Sequence, residues 1–163
     1  MVNKQTAILA WPTFNFIVRV DRLVRPVYPD WVKKPMHPEL ELAGPAEYDL
    51  SKLELWLHDD QKDSMVKGEV IYSHLKATNT LASCLDLRDG LAIQAKGIAV
   101  FRRFFGGKSA FLWRSTAQSL FSRILVPFLC EFGGEIVVDW NWLDRGWYTD
   151  HPALKFQQVV PGT

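Results

Sequence analysis

The stretch ILVPFLCEFGGEIVVDWNWLD, Ile124 to Asp144, decides how this chain of 163 residues is read. Two apolar runs rich in β-branched and aromatic side chains flank Gly133-Gly134, the pattern of antiparallel strands joined by a tight turn. Loop length then sets the register. A two-residue loop places Phe132 opposite Glu135 and groups Ile124, Val126, Phe128 and Cys130 with Val137, Asp139 and Asn141. A three-residue loop, Phe132-Gly133-Gly134, groups the same four residues with Ile136, Val138, Trp140 and Trp142. The second arrangement separates an apolar face from a mixed polar one, the condition under which register is well specified. The pattern therefore predicts the three-residue loop, with a glycine in a left-handed bulge position. That choice opposes Glu131 to Glu135, a modest repulsion.

Upstream of the hairpin the period changes. Leu91, Ala95, Ile98, Phe101 or Arg102, and Phe105 recur at helical spacing from Asp89, and Gly106-Gly107 supplies a stop. Gly97 weakens that helix from within. A second helix is expected from about Met65 to Ala77 behind Asp63 or Ser64, with Val66, Val70, Ile71 and His74 or Leu75 on one side. A third, short one through Leu53 to His58 is capped by Asp49 or Ser51, and a turn through Leu81 to Leu85 follows Asn79 or Thr80. Phe14 to Leu23 alternates like a strand, Ala7 to Trp11 reads as a short strand before it, and Ala110 to Ser115 is again β-like.

Residues 25–49 differ in kind. Pro26, Pro29, Pro35, Pro38 and Pro45 exclude a long helix or a central strand. They read as an extended arm without secondary structure, either pinned to the domain by Tyr28, Trp31 and Met36 or available for binding or swapping. Strands at both ends with helices between give an α+β domain spanning 1–163: an antiparallel sheet of the N-terminal strand and C-terminal hairpins, packed on one face against two or three central helices.

Composition bounds the function class. Hydrophobic residues make up 48% and charged residues 23%, a globular balance, and the net charge of +1 gives no overall pull toward nucleic acid or lipid. Charge is nonetheless segregated: residues 1–34 carry six basic and two acidic side chains, residues 35–69 three and nine, residues 70–134 eight and three. Cys84 and Cys130 stand in no metal or redox spacing and read as reduced thiols. With no signal peptide and no apolar run of membrane length, a soluble cytoplasmic protein is expected.

No motif names a chemistry. His58, Asp59 and Asp60 offer an imidazole beside carboxylates, enough for a metal-dependent hydrolase or nuclease only if folding adds a further ligand such as His74, Asp139 or His151. Arg102, Arg103 and Lys108 among phenylalanines and Trp113 suggest single-stranded nucleic-acid binding, although Gly106-Gly107-Lys108 lacks phosphate-loop spacing. No cofactor or metal is expected. Seven tryptophans are the strongest signal. Trp140 and Trp142 share a strand face and Trp56 a helix, which makes them core. Trp31 and Tyr28 in the arm, and Trp147, Tyr148 and Arg145 beyond the last strand, are left as exposed anchors. The leading expectation is a non-enzymatic protein that binds another macromolecule, a protein before a nucleic acid, through those five residues.

Overall fold

The computed structural model describes residues 15–157. The short strand expected over residues 7–11 lies outside them. Five strands, three α-helices and then six strands follow one another along the described chain, an α+β architecture. The chain runs β1 (Ile17–Arg19), β2 (Val32–Pro35), β3 (Glu47–Asp49), β4 (Glu54–Trp56), β5 (Val66–Lys67) and α1 (Gly68–Ala77). Then come α2 (Leu87–Gln94), α3 (Ile98–Phe105), β6 (Ala110–Phe111), β7 (Ala117–Ser119), β8 (Ile124–Phe132), β9 (Glu135–Trp142), β10 (Gly146–Trp147) and β11 (Ala153–Lys155). The main sheet runs in the order β2-β7-β8-β6-β11-β4, with β9 added along β8; β1 pairs with β3, and β5 with β10, in two small separate sheets.

Strand β8 is the axis. Leu125 and Leu129 are buried on one face and Val126 on the other. The same alternation splits Ala110 and Leu112 from Phe111 and Trp113, and Leu154 from Ala153, into two apolar clusters. Successive side chains of a strand point to opposite faces, so the sheet is buried from both sides. Helices α2 and α3 supply Leu87, Ile93, Val100, Phe101 and Phe105 to the first cluster, whereas α1 supplies Ile71, Tyr72 and Leu75 to the second. The helices thus cover two faces, not the single face expected.

This two-sided burial corrects the hairpin register. Phe132 pairs with Glu135 and Glu131 with Ile136, so the loop is Gly133-Gly134 alone. Both glycines take positive φ, 60° and 80°, as a type I′ turn requires. The criterion of one apolar face does not apply to a strand that needs two. Glu131, freed from Glu135, accepts Arg102 Nε and Nη2 at 2.8 and 2.6 Å.

Three helix expectations also change. The first helix closes at Ala95, and Gly97, at φ 95°, caps the start of the next, so the pattern from Asp89 to Phe105 is two helices, α2 and α3. Leu53 to His58 is not a helix: Asp49 caps a single 3-10 turn, and Glu54–Trp56 pairs antiparallel with β11. Tertiary pairing outweighs the propensity of a short apolar run. Helix α1 starts only at Gly68, because Val66 and Lys67 pair with Trp147 and Gly146.

Trp147 itself is fully buried, between Phe111 and Trp113 at ring centroid distances of 5.0 and 5.4 Å. It is therefore no exposed anchor. Its Nε1 has no hydrogen-bond partner. An orphaned N–H costs about 1–3 kcal/mol, while burying an indole contributes roughly 4–6 kcal/mol. Packing wins.

The arm is ordered, and it contains β2 and β3 rather than being free of secondary structure. A charge cluster holds it. Asp86 caps α2, accepting from the Arg88 and Asp89 amides, and Asp89 Oδ2 accepts the Asp86 amide in return. Around them lie Arg88 Nη2 at 2.6 Å and Arg114 Nη2 at 3.0 Å from Asp86, and Arg22 Nη2 at 2.8 Å from Asp89. Tyr48 donates its hydroxyl to Asp89. Other guanidinium N–H groups take carbonyls of the arm and of Val24 just before it: Arg22 that of Pro45, Arg88 those of Val24 and Glu41, and Arg114 that of Ala43, while Arg114 Nε finds no partner. Burial alone raises the Asp86 carboxyl, but the Arg88 hydrogen bonds and the Arg114 charge outweigh it and hold the group below its ordinary range.

Two substitutions test this frame in urea unfolding. Asp86→Asn leaves three guanidiniums short of a charge and should cost about 3–5 kcal/mol. Gly68→Ala should cost about 1–3 kcal/mol by overpacking, because a Cβ there would meet the Trp147 ring at 2.3 Å and the Leu143 carbonyl at 2.6 Å.

Candidate functional site

Two hollows lie side by side where the arm crosses the β8–β9 face. The first, about 300 Å³, is lined by Trp31, Ser119, Phe121, Arg123, Leu125 and Trp142. The second, about 320 Å³, is lined by Val27, Tyr28, Pro29, Leu87, Leu91, Val138 and Trp140. Trp31 of the first and Trp140 of the second meet edge to face, with centroids 4.9 Å apart, so their rings form the ridge between the hollows. Both linings are almost wholly apolar, the usual character of a recognition site.

Local sequence explains each wall. In the hairpin register, Val138, Trp140 and Trp142 pair with Leu129, Pro127 and Leu125, so all six share one face of the sheet. The three tryptophans Trp31, Trp140 and Trp142 are half-buried, not sealed in the core as the sequence suggests for the last two. Trp31 sits in a turn closed by the Val32 amide on the Pro29 carbonyl, then enters β2. On the far side, Ser119 Oγ accepts the Phe121 and Arg123 amides, and Ser122 takes φ 64°. That tight turn projects Leu120 and Phe121, which are 60% and 87% exposed. Tyr28 packs against the first apolar cluster and donates its hydroxyl to Glu41; burial raises its pKa, so it stays neutral.

Electrostatics gather at one end. The Arg123 and Arg145 guanidinium carbons lie 3.8 and 5.0 Å from the centre of the Trp142 ring, within cation–π range. Arg123 also pairs with Asp144 at 3.2 Å. Among the described residues, Arg145 forms no ion pair with a carboxylate.

Of the five expected anchors, Trp31, Tyr28 and Arg145 come together at these hollows. Tyr148 is exposed but lies elsewhere, its amide bound to His151 Nδ1, and Trp147 is in the core. Sequence reasoning missed Phe121 and Trp142 as surface groups. Nothing in strand periodicity reveals that the sheet face outruns the helices that cover it.

The other candidates do not converge. His58 Nδ1 accepts the Asp60 amide and caps a turn, while Gln61 of that turn donates to the Tyr148 and His151 carbonyls. His74 does come beside His58, with rings 5.1 Å apart, and stacks on Trp56. Asp59 is turned to Lys62, which holds its carboxyl below the ordinary range. Among the described residues no group of three or more His, Cys, Asp or Glu is arranged to hold a metal ion. Of the basic trio, Arg102 is engaged by Glu131 and Arg103 lies over the Phe16 and Phe104 rings, and the three make no common cluster of free charge. Cys84 and Cys130 are both free thiols, and burial pushes Cys84 up to about 12. Among the described residues no helix is long and apolar enough to cross a membrane.

No protein-family model matches the chain, and neither does any curated protein or solved structure.

The arm has a second fastening, where His37 Nε2 meets the Tyr72 hydroxyl of α1 at 2.5 Å. Burial lowers the His37 pKa, against the opposing pull of Glu39 at 3.3 Å, and burial lowers that of His151 likewise. The unfolded chain therefore binds these protons first. Stability should be flat above the ordinary histidine value of about 6.5 and should fall as pH drops below it. Urea melts from neutral to mildly acidic pH check the sign, and a His37→Gln, His151→Gln double variant should show a flatter profile.

Proposed function

We propose that this protein is a non-enzymatic binding domain that holds another protein on the paired hollows at Trp31, Trp140 and Trp142. One observation carries the reading. Two nearly all-apolar hollows share an aromatic ridge and are bordered by Phe121 and Leu120, both largely open to water. Tryptophan, tyrosine and arginine are the residues in which binding energy concentrates at protein interfaces. Tyr28, Trp31, Trp140, Trp142, Arg123 and Arg145 supply all three types within one patch. One wall comes from the arm, whose Glu41 and Ala43 carbonyls are held by the arginines of the buried Asp86 cluster, so little order has to be created on binding.

The reading is checked by selecting from a displayed library of random peptides on the intact chain. Recovered peptides should compete with one another, and Trp31→Ala and Trp142→Ala should each weaken them about tenfold or more while leaving the fold's circular dichroism unchanged. Selected peptides indifferent to both substitutions, or no selection at all, would overturn it. So would a stable dimer in sedimentation that Phe121→Asp dissolves, because the face would then be a contact between copies of this chain.

A further inference from the structure

We propose that the segment received by the two hollows is proline-rich, bound as a polyproline II helix with an acidic residue at its Trp142 end; this rests on the protein-binding reading above. The first support is shape. A polyproline II helix repeats every three residues, about 9 Å, and offers ring or aliphatic pairs on successive turns. Two apolar hollows divided by a single aromatic ridge can take two such turns, with the Trp31–Trp140 pair between them. Aromatic-lined grooves are the general means by which such segments are held.

The second support is an excess of donors. Among the described residues, the indole N–H groups of Trp31, Trp140 and Trp142 meet no protein acceptor, and none of them is sealed from water. A polyproline II segment has no internal hydrogen bonds, so every one of its carbonyls is an open acceptor. Indole donors set along an apolar trough match that array. Proline supplies no N–H of its own, and the hollows offer few acceptors in return.

The third support is that the competing mode is obstructed. An extended peptide could instead add a strand to the outer edge of β9, which among the described residues pairs only with β8. That edge is blunted at three points. Gln94 Nε2 donates to the Ile136 carbonyl, the Trp140 amide donates to the Asp139 carboxylate, and the Trp142 carbonyl takes the Arg145 amide. Such devices prevent edge pairing. The ligand must therefore be read through side-chain hollows and not through a backbone ladder.

Charge sets the direction. Arg145 lies on Trp142 with its guanidinium otherwise unpaired among the described residues, and Arg123 lies closer still. A carboxylate next to the proline run would complete this end by pairing Arg145, whereas a lysine or arginine would meet that uncompensated charge, Arg123 being already paired with Asp144.

The test uses the full chain with tryptophan indole N–H groups observed by NMR. Three short synthetic peptides serve as probes: one with two Pro-x-x-Pro units and a flanking aspartate, the same peptide with lysine for aspartate, and a Gly/Ser peptide keeping the aspartate. The first should shift the indole signals of Trp31, Trp140 and Trp142 and leave those of buried Trp113 and Trp147 in place. Trp140→Ala should weaken it about tenfold. It should bind several-fold tighter than the lysine form, and Arg145→Glu should reverse that order. Equal binding of the Gly/Ser peptide, or no movement of the three indoles, would overturn the proposal. If library-selected peptides without proline still occupy the hollows, only the polyproline inference falls; if no peptide does, the protein-binding reading falls with it.

Discussion

The Asp86 carboxylate is the point on which the rest of the structure depends. It is 1% exposed and carries its charge among three guanidiniums. A buried charge is tolerated only when it is paired and hydrogen-bonded. Here the requirement organises everything near it. The same group caps α2, fixes Arg88 and Arg114, and through them holds the carbonyls of Val24, Ala43 and Glu41. Most of those arm carbonyls lie outside any strand ladder, yet a covered backbone group must find a partner. Guanidinium forks replace the missing strand. Gly44 completes the fit: at φ 106°, a Cβ would sit 3.1 Å from Arg114 Nη1 and 3.2 Å from Arg22.

The second constraint is the double burial of β8. Pro127 stands in the middle of this central strand, where a proline ordinarily costs a ladder bond. It causes no loss here because its position is a junction. Residues 124 and 125 pair with β7 on one flank, residues 128 and 129 pair with β6, and Pro127 falls between the two neighbours. It still accepts the Leu112 amide. On the β9 flank, the Pro127–Trp140 pair belongs to the face carrying the ridge. The proline that would argue against a central strand marks where one neighbour hands over to another.

Local signals in the sequence were readable where chemistry is local. The hairpin at Gly133-Gly134, the break at Gly106, the turn after Thr80 and the α+β balance all follow from nearby residues. What could not be read was set by distant partners. Leu53 to Leu57 has the same pattern whether it becomes a helix or a strand, and only the pairing of Trp56 with Ala153 decides it. Register is not legible locally, because a strand with two apolar faces imitates one with a single face and a shifted loop. Arg22, Arg88, Arg114, Asp86 and Asp89 are scattered over 93 positions, and no spacing rule joins them. Of the site, Trp31, Tyr28 and Arg145 were singled out by being left over from periodic segments. Trp147 shared that property and is core, because a two-residue pairing with Val66 carries it inward.

The arm links these two constraints. The residues that wall the hollows, Val27 to Trp31, lie between Arg25, which bonds to Glu41 and the Pro38 carbonyl, and β2, which is paired to β7. Tyr28 reaches Glu41 as well. Glu41 therefore holds the near wall from two sides, while its own carbonyl is held by Arg88 of the Asp86 cluster. The far wall is the Ser119 turn, and its Leu120 amide donates to the Trp31 carbonyl. Both walls are thus fixed before any ligand arrives, and the ordering cost of forming the trough is met in folding rather than in binding. Energetically, the charge cluster and the aromatic surface are one device. Arginines that contribute nothing to the hollows by contact set their width, and damage to the Asp86 cluster would loosen Trp31 and Tyr28 without touching either ring.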